Sequence, residues 1–437
     1  MDARGATAAL YGALAGAAAP LARHWLRRRV AAGKEDPLRV AERTGIAITP
    51  RPPGALLWVH GASMGELRSV VPLIRLIAAA RPDVNFLITS GTRTSAEMIA
   101  QAPPPRSIHQ YVPLDIPAWI ERFLDHWRPD AVLWLESELW PNLIRQTRQR
   151  GIAMALVNGR LSDRSFARWR RISRIAAPPV AAFAPCLAQS EADARRFEAL
   201  GVPAVCVGNL KFDGTPAPAD AAPLDALRAA IGARPVWLAA STHPGEEEIV
   251  ARAHRAVRAR HRDALLIVVP RHANRGTEIA ERLAAQGHGF VRRSLGNLPA
   301  PEHDLYIADT MGELGMLYRL AMVAFIGKSI ASIGGQNPIE PARLQVATVF
   351  GPHMENFRDV ASALTAAGGA IQIRDESALA ATIIRLLGDP DERARVAAAG
   401  FAVTVQGQGA AERALAALAP LLAALPRPAA ERNHASA

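Results

Sequence analysis

Leu56-Leu57-Trp58-Val59-His60-Gly61-Ala62-Ser63-Met64-Gly65-Glu66 is the stretch whose reading decides the fold. An apolar and aromatic run enters a small turn bracketed by glycines. Leu67, Val70, Val71, Leu73, Ile74 and Ile77 then follow at helical spacing, so the pattern predicts a buried strand, a tight loop and a helix. Such a loop opens at the carboxyl end of a parallel strand, the edge at which doubly wound sheets bind ligands. Glu66 sits there, in the first helical turn. Ser63-x-x-Glu66 is equally a capping box, in which Ser63 takes a free helix amide and Glu66 reaches back. Catalysis and capping both remain open on spacing alone.

Working outward, residues 84–89 end in Ser90-Gly91-Thr92, and 131–135 end in Glu136-Ser137-Glu138. Residues 152–157 lead to Asn158-Gly159-Arg160, and 204–207 lead to Gly208-Asn209-Leu210-Lys211-Phe212-Asp213. Strands alternating with helical segments predict an α/β fold with a parallel sheet covered on both faces. A Pro- and Ala-rich stretch, 214–223, reads as a linker. Beyond it the architecture repeats: residues 236–240, 264–269, 305–308, 322–326 and 346–350 are apolar runs that end in polar or glycine-rich turns. The expected organisation is a membrane-associating segment over 1–30, a first Rossmann-like domain over 31–213, the linker, a second Rossmann-like domain over 224–425 and a disordered tail over 426–437. Two such domains predict a ligand held in a cleft between them.

The 437 residues exceed what one core usually holds. Cys186 and Cys206 lie in apolar surroundings with no CxxC, which excludes a disulfide framework and a zinc site. Lys plus Arg number 51 against 40 Asp plus Glu, a net charge of +11 that favours anionic partners. Arg23, Arg27, Arg28 and Arg29 follow an uncharged run over 6–22. Arg160, Arg164, Arg168, Arg170, Arg171 and Arg174 surround Phe166 and Trp169. The N-terminal run is too short and too rich in Ala and Gly for a spanning helix, and its flanking charges do not fit a signal peptide. With Trp25 and the arginines it reads as an interfacial anchor on anionic lipid, the alternative being a packed helix pair.

Only three lysines occur, Lys34, Lys211 and Lys328. Two stand at strand ends, where a compact ammonium near a phosphate or carboxylate differs from a guanidinium. Three segments of the second half suit a nucleotide. Thr310-Met311-Gly312-Glu313 is expected to start a helix whose free amides meet a phosphate. Gly334-Gly335-Gln336-Asn337-Pro338-Ile339-Glu340 reads as a glycine turn, an Asn cap and a helix start. It places Glu340 where its carboxylate could accept both hydroxyls of a ribose. Arg271-His272 could pair with a phosphate or stack on a base. Each has a structural alternative in capping or an ordinary surface arginine. Asp389-Pro390-Asp391 has the spacing of a DxD metal motif but the chemistry of a turn and helix start. With no GxGxxG after a strand and no P-loop, dinucleotide oxidoreductases and NTPases are excluded.

Taken together, Trp58 to Glu66, Glu136-Ser137-Glu138-Leu139-Trp140-Pro141-Asn142, Asn158-Gly159-Arg160-Leu161-Ser162, Gly208-Asn209-Leu210-Lys211-Phe212, Pro270-Arg271-His272, Gly335-Gln336-Asn337-Pro338-Ile339-Glu340-Pro341 and Gly351-Pro352-His353 with Asn356-Phe357 resemble the signature blocks of the 3-deoxy-D-manno-octulosonic acid (Kdo) transferases. The resemblance implies a GT-B glycosyltransferase of two Rossmann-like domains, acceptor on the first and CMP-Kdo on the second. It implies inverting, metal-independent transfer of Kdo to a lipid A precursor of the lipid IVA type, at the cytoplasmic face of the inner membrane. No cofactor is implied. By the same resemblance Glu66 matches the general base. Glu136 and Lys211 match groups that stabilise the transition state. Arg271, His272, Met311, Gly312, Glu313, Asn337, Pro338, Ile339 and Glu340 match the CMP site. The family often has Gly at the place of Lys328 and His at that of Gln336. Two rivals are another GT-B nucleotide-sugar enzyme, such as an epimerase, and a basic nucleic-acid-binding protein. The second expects aromatics interleaved with basic residues, which only Phe166 and Trp169 supply, so nucleic acid is not an expected partner.

Overall fold

A computed structural model describes residues 3–136, 139–172, 179–216 and 219–427. The chain forms two compact units. The first takes the described residues of Met1–Gly214 and Gln408–Ala437, and the second is Thr215–Gly407.

In the first unit β1 (Leu56–His60), β2 (Asn85–Ser90), β3 (Ser107–Tyr111), β4 (Ala131–Leu135), β5 (Ala153–Gly159), β6 (Cys186–Ala188) and β7 (Ala204–Cys206) make one parallel sheet, ordered β3-β2-β1-β4-β5-β6-β7. Strand β1 is buried along its whole length because both faces are covered, which explains its unbroken apolar run. Its side chains alternate. Leu57 and Val59 join a core with Leu67, Val70 and Ile74 of helix Met64–Ala80, while Leu56 and Trp58 join the opposite core with Ile120, Phe123 and Trp127 of helix Pro117–Trp127. Strand order reverses between β1 and β4, so their carboxyl ends frame the sheet's switch point.

The second unit repeats the plan with β8 (Val236–Thr242), β9 (Leu265–Pro270), β10 (Phe290–Arg292), β11 (Leu305–Ile307), β12 (Val323–Ile326), β13 (Ala347–Phe350) and β14 (Ala370–Gln372), ordered β10-β11-β9-β8-β12-β13-β14 and again parallel. Its switch point lies between β8 and β12.

The sequence places the end of the second domain at 425, whereas the structure places it at Gly407. Helix Ala410–Ala423 belongs to the first unit. Ala414, Leu418, Leu421 and Leu422 recur at helical spacing and join the core of helix Met64–Ala80. The Asp213 carboxylate fixes the helix start by accepting from the amides of Gly409 at 2.7 Å and Ala411 at 2.6 Å. The N-terminus is a helix pair, Ala3–Ala17 and Ala19–Ala31. Leu26 packs on Ile116 and Trp119, and the Tyr11 hydroxyl donates to Asp115. No described helix is long and apolar enough to cross a membrane. Asp389 caps helix Pro390–Gln406 by accepting from the Glu392 amide, the helix-start chemistry read for Asp389-Pro390-Asp391. Residues 428–437 of the expected tail and 217–218 of the linker lie outside the described residues.

Burial holds three histidine rings toward neutrality, His254 and His60 fully buried and His109 partly so. His254 receives a hydrogen bond at Nδ1 from the Trp237 indole, and its Nε2 faces the Asp304 carbonyl, so an added proton would oppose the indole. Burial holds its pKa down to about 4. Burial, then the charge of Arg43, holds His60 at about 3, and burial with Arg39 does the same for His109. These folded-state values lie below the unfolded value near 6.5. The stabilisation is therefore complete above about pH 6.5 and is lost as pH falls toward the folded values, at up to about 1.4 kcal/mol per pH unit for each ring. Urea unfolding should show midpoints that fall steadily from pH 6.5 to 4. Midpoints constant over that interval would contradict neutral burial.

Candidate active site

The candidate residues fall into two groups, one in each unit. In the first, the turn after β1 delivers Ser63 as the cap of helix Met64–Ala80. Ser63 Oγ accepts from the Glu66 amide at 3.4 Å and donates to Glu66 Oε1 at 2.9 Å, while the Ala62 amide donates to Oε2 at 2.8 Å. The capping reading is therefore fulfilled, and it has a chemical consequence. Two donors aim a half-exposed carboxylate at the edge of the sheet where strand order reverses. A carboxylate so oriented can take a proton from a hydroxyl presented to it.

At the end of neighbouring β4, Glu136 adopts φ 54° and its amide donates to the Val157 carbonyl. Its Oε1 lies 2.5 Å from Lys211 Nζ, in a pair only 14% exposed on each side. Asn158, fully buried at φ 55°, brings Nδ2 to 3.5 Å from the same oxygen and accepts the Leu210 amide at Oδ1. Asn209 Oδ1 in turn accepts the Lys211 amide. The ends of β4 and β5 and the turn Leu210–Phe212 are thus fastened into one polar cluster. Of the two residues at positive φ on neighbouring strands, Asn158 is of a type that accepts that backbone readily, while Glu136 is held against its preference, at a cost of about 1–2 kcal/mol. Ser137 and Glu138 lie outside the described residues, as does Arg174 of the arginine cluster. In helix Asp163–Ile172, Arg168 stacks on Trp169 and Arg170 on Phe166.

In the second unit the organising side chain is Glu246, which the sequence reading passed over. It is completely buried in the first turn of helix Glu246–Arg260. Its carboxylate accepts four amides: His243 (3.0 Å) and Lys328 (2.6 Å) on Oε2, Ser329 (2.9 Å) and Ile330 (3.1 Å) on Oε1. It therefore ties the turn after β8 to the turn after β12, across the switch point. The available signal was Gly245-Glu246 directly after a strand end, a helix start like that at Glu66. Gly327 precedes the turn because a Cβ there would stand 2.5 Å from the Ser241 carbonyl oxygen.

Around this clamp, the Gln336 amide donates to the Gly327 carbonyl, and Gln336 Nε2 lies 3.0 Å from His243 Nε2. The His243 and His272 rings stand 6.2 Å apart. Burial, with the nearby charges of Lys328 and Arg271, lowers the pKa of His243; partial desolvation of an otherwise exposed ring, then Arg271, lowers that of His272. Arg271 and His272 follow β9, beside β8, and are exposed. Pro338, rather than Asn337, stands at the N-cap of the short helix Ile339–Arg343; Asn337 Oδ1 accepts the Ile339 amide in the turn leading into it, and Glu340 lies in its first turn.

The helix-start reading of Thr310-Met311-Gly312-Glu313 is corrected. Helix Leu314–Tyr318 begins after Glu313 and runs one turn, with Met311 and Gly312 exposed before it. Glu313 accepts from Arg293 at 2.7 and 3.1 Å and from the Thr310 hydroxyl. Gly312, at φ 84°, turns the chain before a helix too short to gather a dipole. The segment follows β11, on the far side of β9 from β8. Among the described residues, no group of three or more His, Cys, Asp or Glu could hold a metal ion.

Residues 38–214 match the family described as 3-deoxy-D-manno-octulosonic-acid transferase (kdotransferase). A 3-deoxy-D-manno-octulosonic acid transferase of Haemophilus influenzae is 34% identical, covering 88% of this chain and 91% of its own. One of Bordetella pertussis is 36% identical, covering 92% and 96%. Among solved structures, a putative UDP-N-acetylglucosamine 2-epimerase from Listeria monocytogenes is 15% identical, covers 86% of this chain and 99% of its own, and superposes with a TM-score of 0.57. That likeness is one of fold.

The Glu246 clamp predicts a large mechanical effect. Glu246→Ala strands four amides, that of Ser329 buried and those of His243, Lys328 and Ile330 part-buried; a fully buried one costs about 1–3 kcal/mol when unsatisfied, the others less. The variant should unfold in denaturant at least about 3 kcal/mol more easily than the parent, and Glu246→Gln should recover part of the loss. A change below about 1 kcal/mol for the alanine variant would show that the clamp does not hold the two turns.

Proposed function

The chain belongs to the 3-deoxy-D-manno-octulosonic acid (Kdo) transferase family, and from that membership we propose that it moves Kdo from CMP-Kdo to a lipid A precursor, with inversion and without a metal ion. The observation that carries the chemistry is the Glu66 carboxylate, held by Ala62 and Ser63 after β1, with the Glu136–Lys211 pair at the end of adjacent β4.

The acceptor hydroxyl gives its proton to Glu66 as its oxygen attacks the anomeric carbon of Kdo. The bond from that carbon to the CMP phosphate breaks, and the electron pair leaves with the phosphate. Negative charge gathers on the leaving group, and preorganised cations stabilise it most cheaply. Arg271 and His272 serve the phosphate from the second unit, with Asn337 to Glu340 holding the nucleoside and Met311 to Glu313 lining its edge. Lys211, neutralised at rest by Glu136, supplies an ammonium for the acid functions of the reacting pair. The epimerase reading is not favoured, because the solved epimerase shares fold at 15% identity while transferases share more than a third of their residues over nearly the full length.

The acceptor is an anionic lipid, and the N-terminal helix pair suits a membrane surface. Leu10, Leu14, Leu21 and Trp25 are 61%, 63%, 73% and 45% exposed, with Arg27 and Arg28 close by in sequence. Apolar side chains entering the interface and arginines meeting anionic headgroups would hold the enzyme at the cytoplasmic face of the inner membrane.

Transfer assayed with a lipid A precursor in anionic vesicles tests both parts. Glu66→Gln keeps the cap but removes the base, so turnover should fall by about 10²–10⁴-fold while CMP affinity stays within about twofold. Turnover near the parent value would exclude Glu66 as the base. Leu14→Glu with Leu21→Glu should lose turnover on vesicle-borne acceptor and keep it on detergent-dispersed acceptor; equal activity on both would contradict the membrane docking.

A further inference from the structure

Lys328 stands at the end of β12 with φ 58°, a conformation that suits glycine and disfavours a long side chain. Nothing lets the backbone escape it. The Lys328 amide is held by Glu246, and its carbonyl accepts the Gly335 amide at 2.7 Å. The side chain is fixed as well as the backbone. Its Cδ and Cε pass 3.4 and 3.1 Å from the place where a Cβ on Gly334 would stand, so the stem lies across the bare glycine turn.

Lys328 as a residue is half-buried, and among the described residues no carboxylate forms a salt bridge with its ammonium. Lys211, by contrast, is neutralised by Glu136. The charge of Lys328 reaches His243, and through it the group formed with His272, Arg271 and Gln336. Both imidazoles are held toward neutrality, which leaves Lys328 and Arg271 as the fixed cations of this switch point. A lysine whose stem is packed on a glycine turn, whose ammonium has no carboxylate partner among the described residues and whose strained backbone is held by a buried clamp, is arranged for an anion that arrives from outside.

We propose that Lys328 is a donor-binding residue whose ammonium contacts an anionic oxygen of the nucleotide-sugar, with Glu246 as the positioning residue that holds it there. This rests on the reading of the second unit as the donor-binding half. The donor carries two such anions, the phosphate of CMP and the carboxylate of the sugar acid. One charge-assisted hydrogen bond to either is worth about tenfold or more in affinity.

The test uses the full chain and the variants Lys328→Met, Lys328→Gly and Lys328→Arg, with calorimetric titration of cytidine and CMP and steady-state KM for CMP-Kdo. Cytidine affinity should be the same in all four proteins. If the contact is with phosphate, Met and Gly variants bind CMP about tenfold more weakly, with the gap closing at high salt and the Arg variant intermediate. If it is with the sugar carboxylate, CMP affinity is unchanged and KM for CMP-Kdo rises about tenfold. The Gly variant separates charge from architecture, because glycine accepts φ 58° and should melt no lower than the parent. Parent-like CMP affinity together with parent-like KM in the Gly variant would overturn the proposal. Should the parent transfer no Kdo, the transferase reading fails, while the cytidine and CMP titrations still decide whether Lys328 meets a phosphate.

Discussion

One buried carboxylate, Glu246, accepts four backbone amides drawn from two separate turns. A parallel sheet leaves such groups at every strand end, and those under cover must find acceptors. Where strand order reverses, adjacent turns diverge and cannot satisfy each other, so a side chain has to do it. Glu246 does so between β8 and β12, and Lys328, with its left-handed backbone, stands in the turn it holds. In the first unit the same demand is met in pieces. Glu66 takes the Ala62 amide, and Asn158 takes the Leu210 amide while approaching Glu136. Side chains that finish the backbone's hydrogen bonding at these edges are thereby immobilised, and immobile polar groups are what catalysis and recognition require.

The central strands were legible in the sequence because both faces of each are buried. Leu56 to Val59, Ala131 to Leu135 and Val323 to Ile326 are unbroken apolar runs for that reason. The strands that went unread are Ser107–Tyr111, Phe290–Arg292 and Ala370–Gln372, and all three are sheet edges. An edge strand is half-exposed, short and mixed in polarity, so it lacks the signal that marks a buried one. The domain boundary was misplaced for a related reason. The amphipathic pattern of Ala410–Ala423 announces a helix with an apolar face, but periodicity does not say which core that face joins. That was decided by Asp213, far away in sequence.

At the candidate site, local chemistry was readable and its scale was not. Ser63-x-x-Glu66 formed as a capping box, and the cap turned out to be the means by which the Glu66 carboxylate is held in place. The pairing of Lys211 with Glu136 depends on three loops meeting, which spacing cannot reveal. Glu246 was hidden by its ordinary appearance, as one of three consecutive glutamates at a helix start. Thr310 to Glu313 had a capping signature, yet Arg293 captured the glutamate and the helix began later. Local motifs thus state what a side chain can do, and distant residues select which of those things it does.

The central claim is that this chain joins Kdo to a lipid, and mass spectrometry of the lipid addresses it directly. Purified protein, CMP-Kdo and a lipid A precursor are incubated in the presence of a metal chelator, and the lipid fraction is weighed. The account predicts a product heavier by one or more Kdo residues, formed with release of CMP. An unchanged lipid with folded, membrane-supplied protein would contradict it.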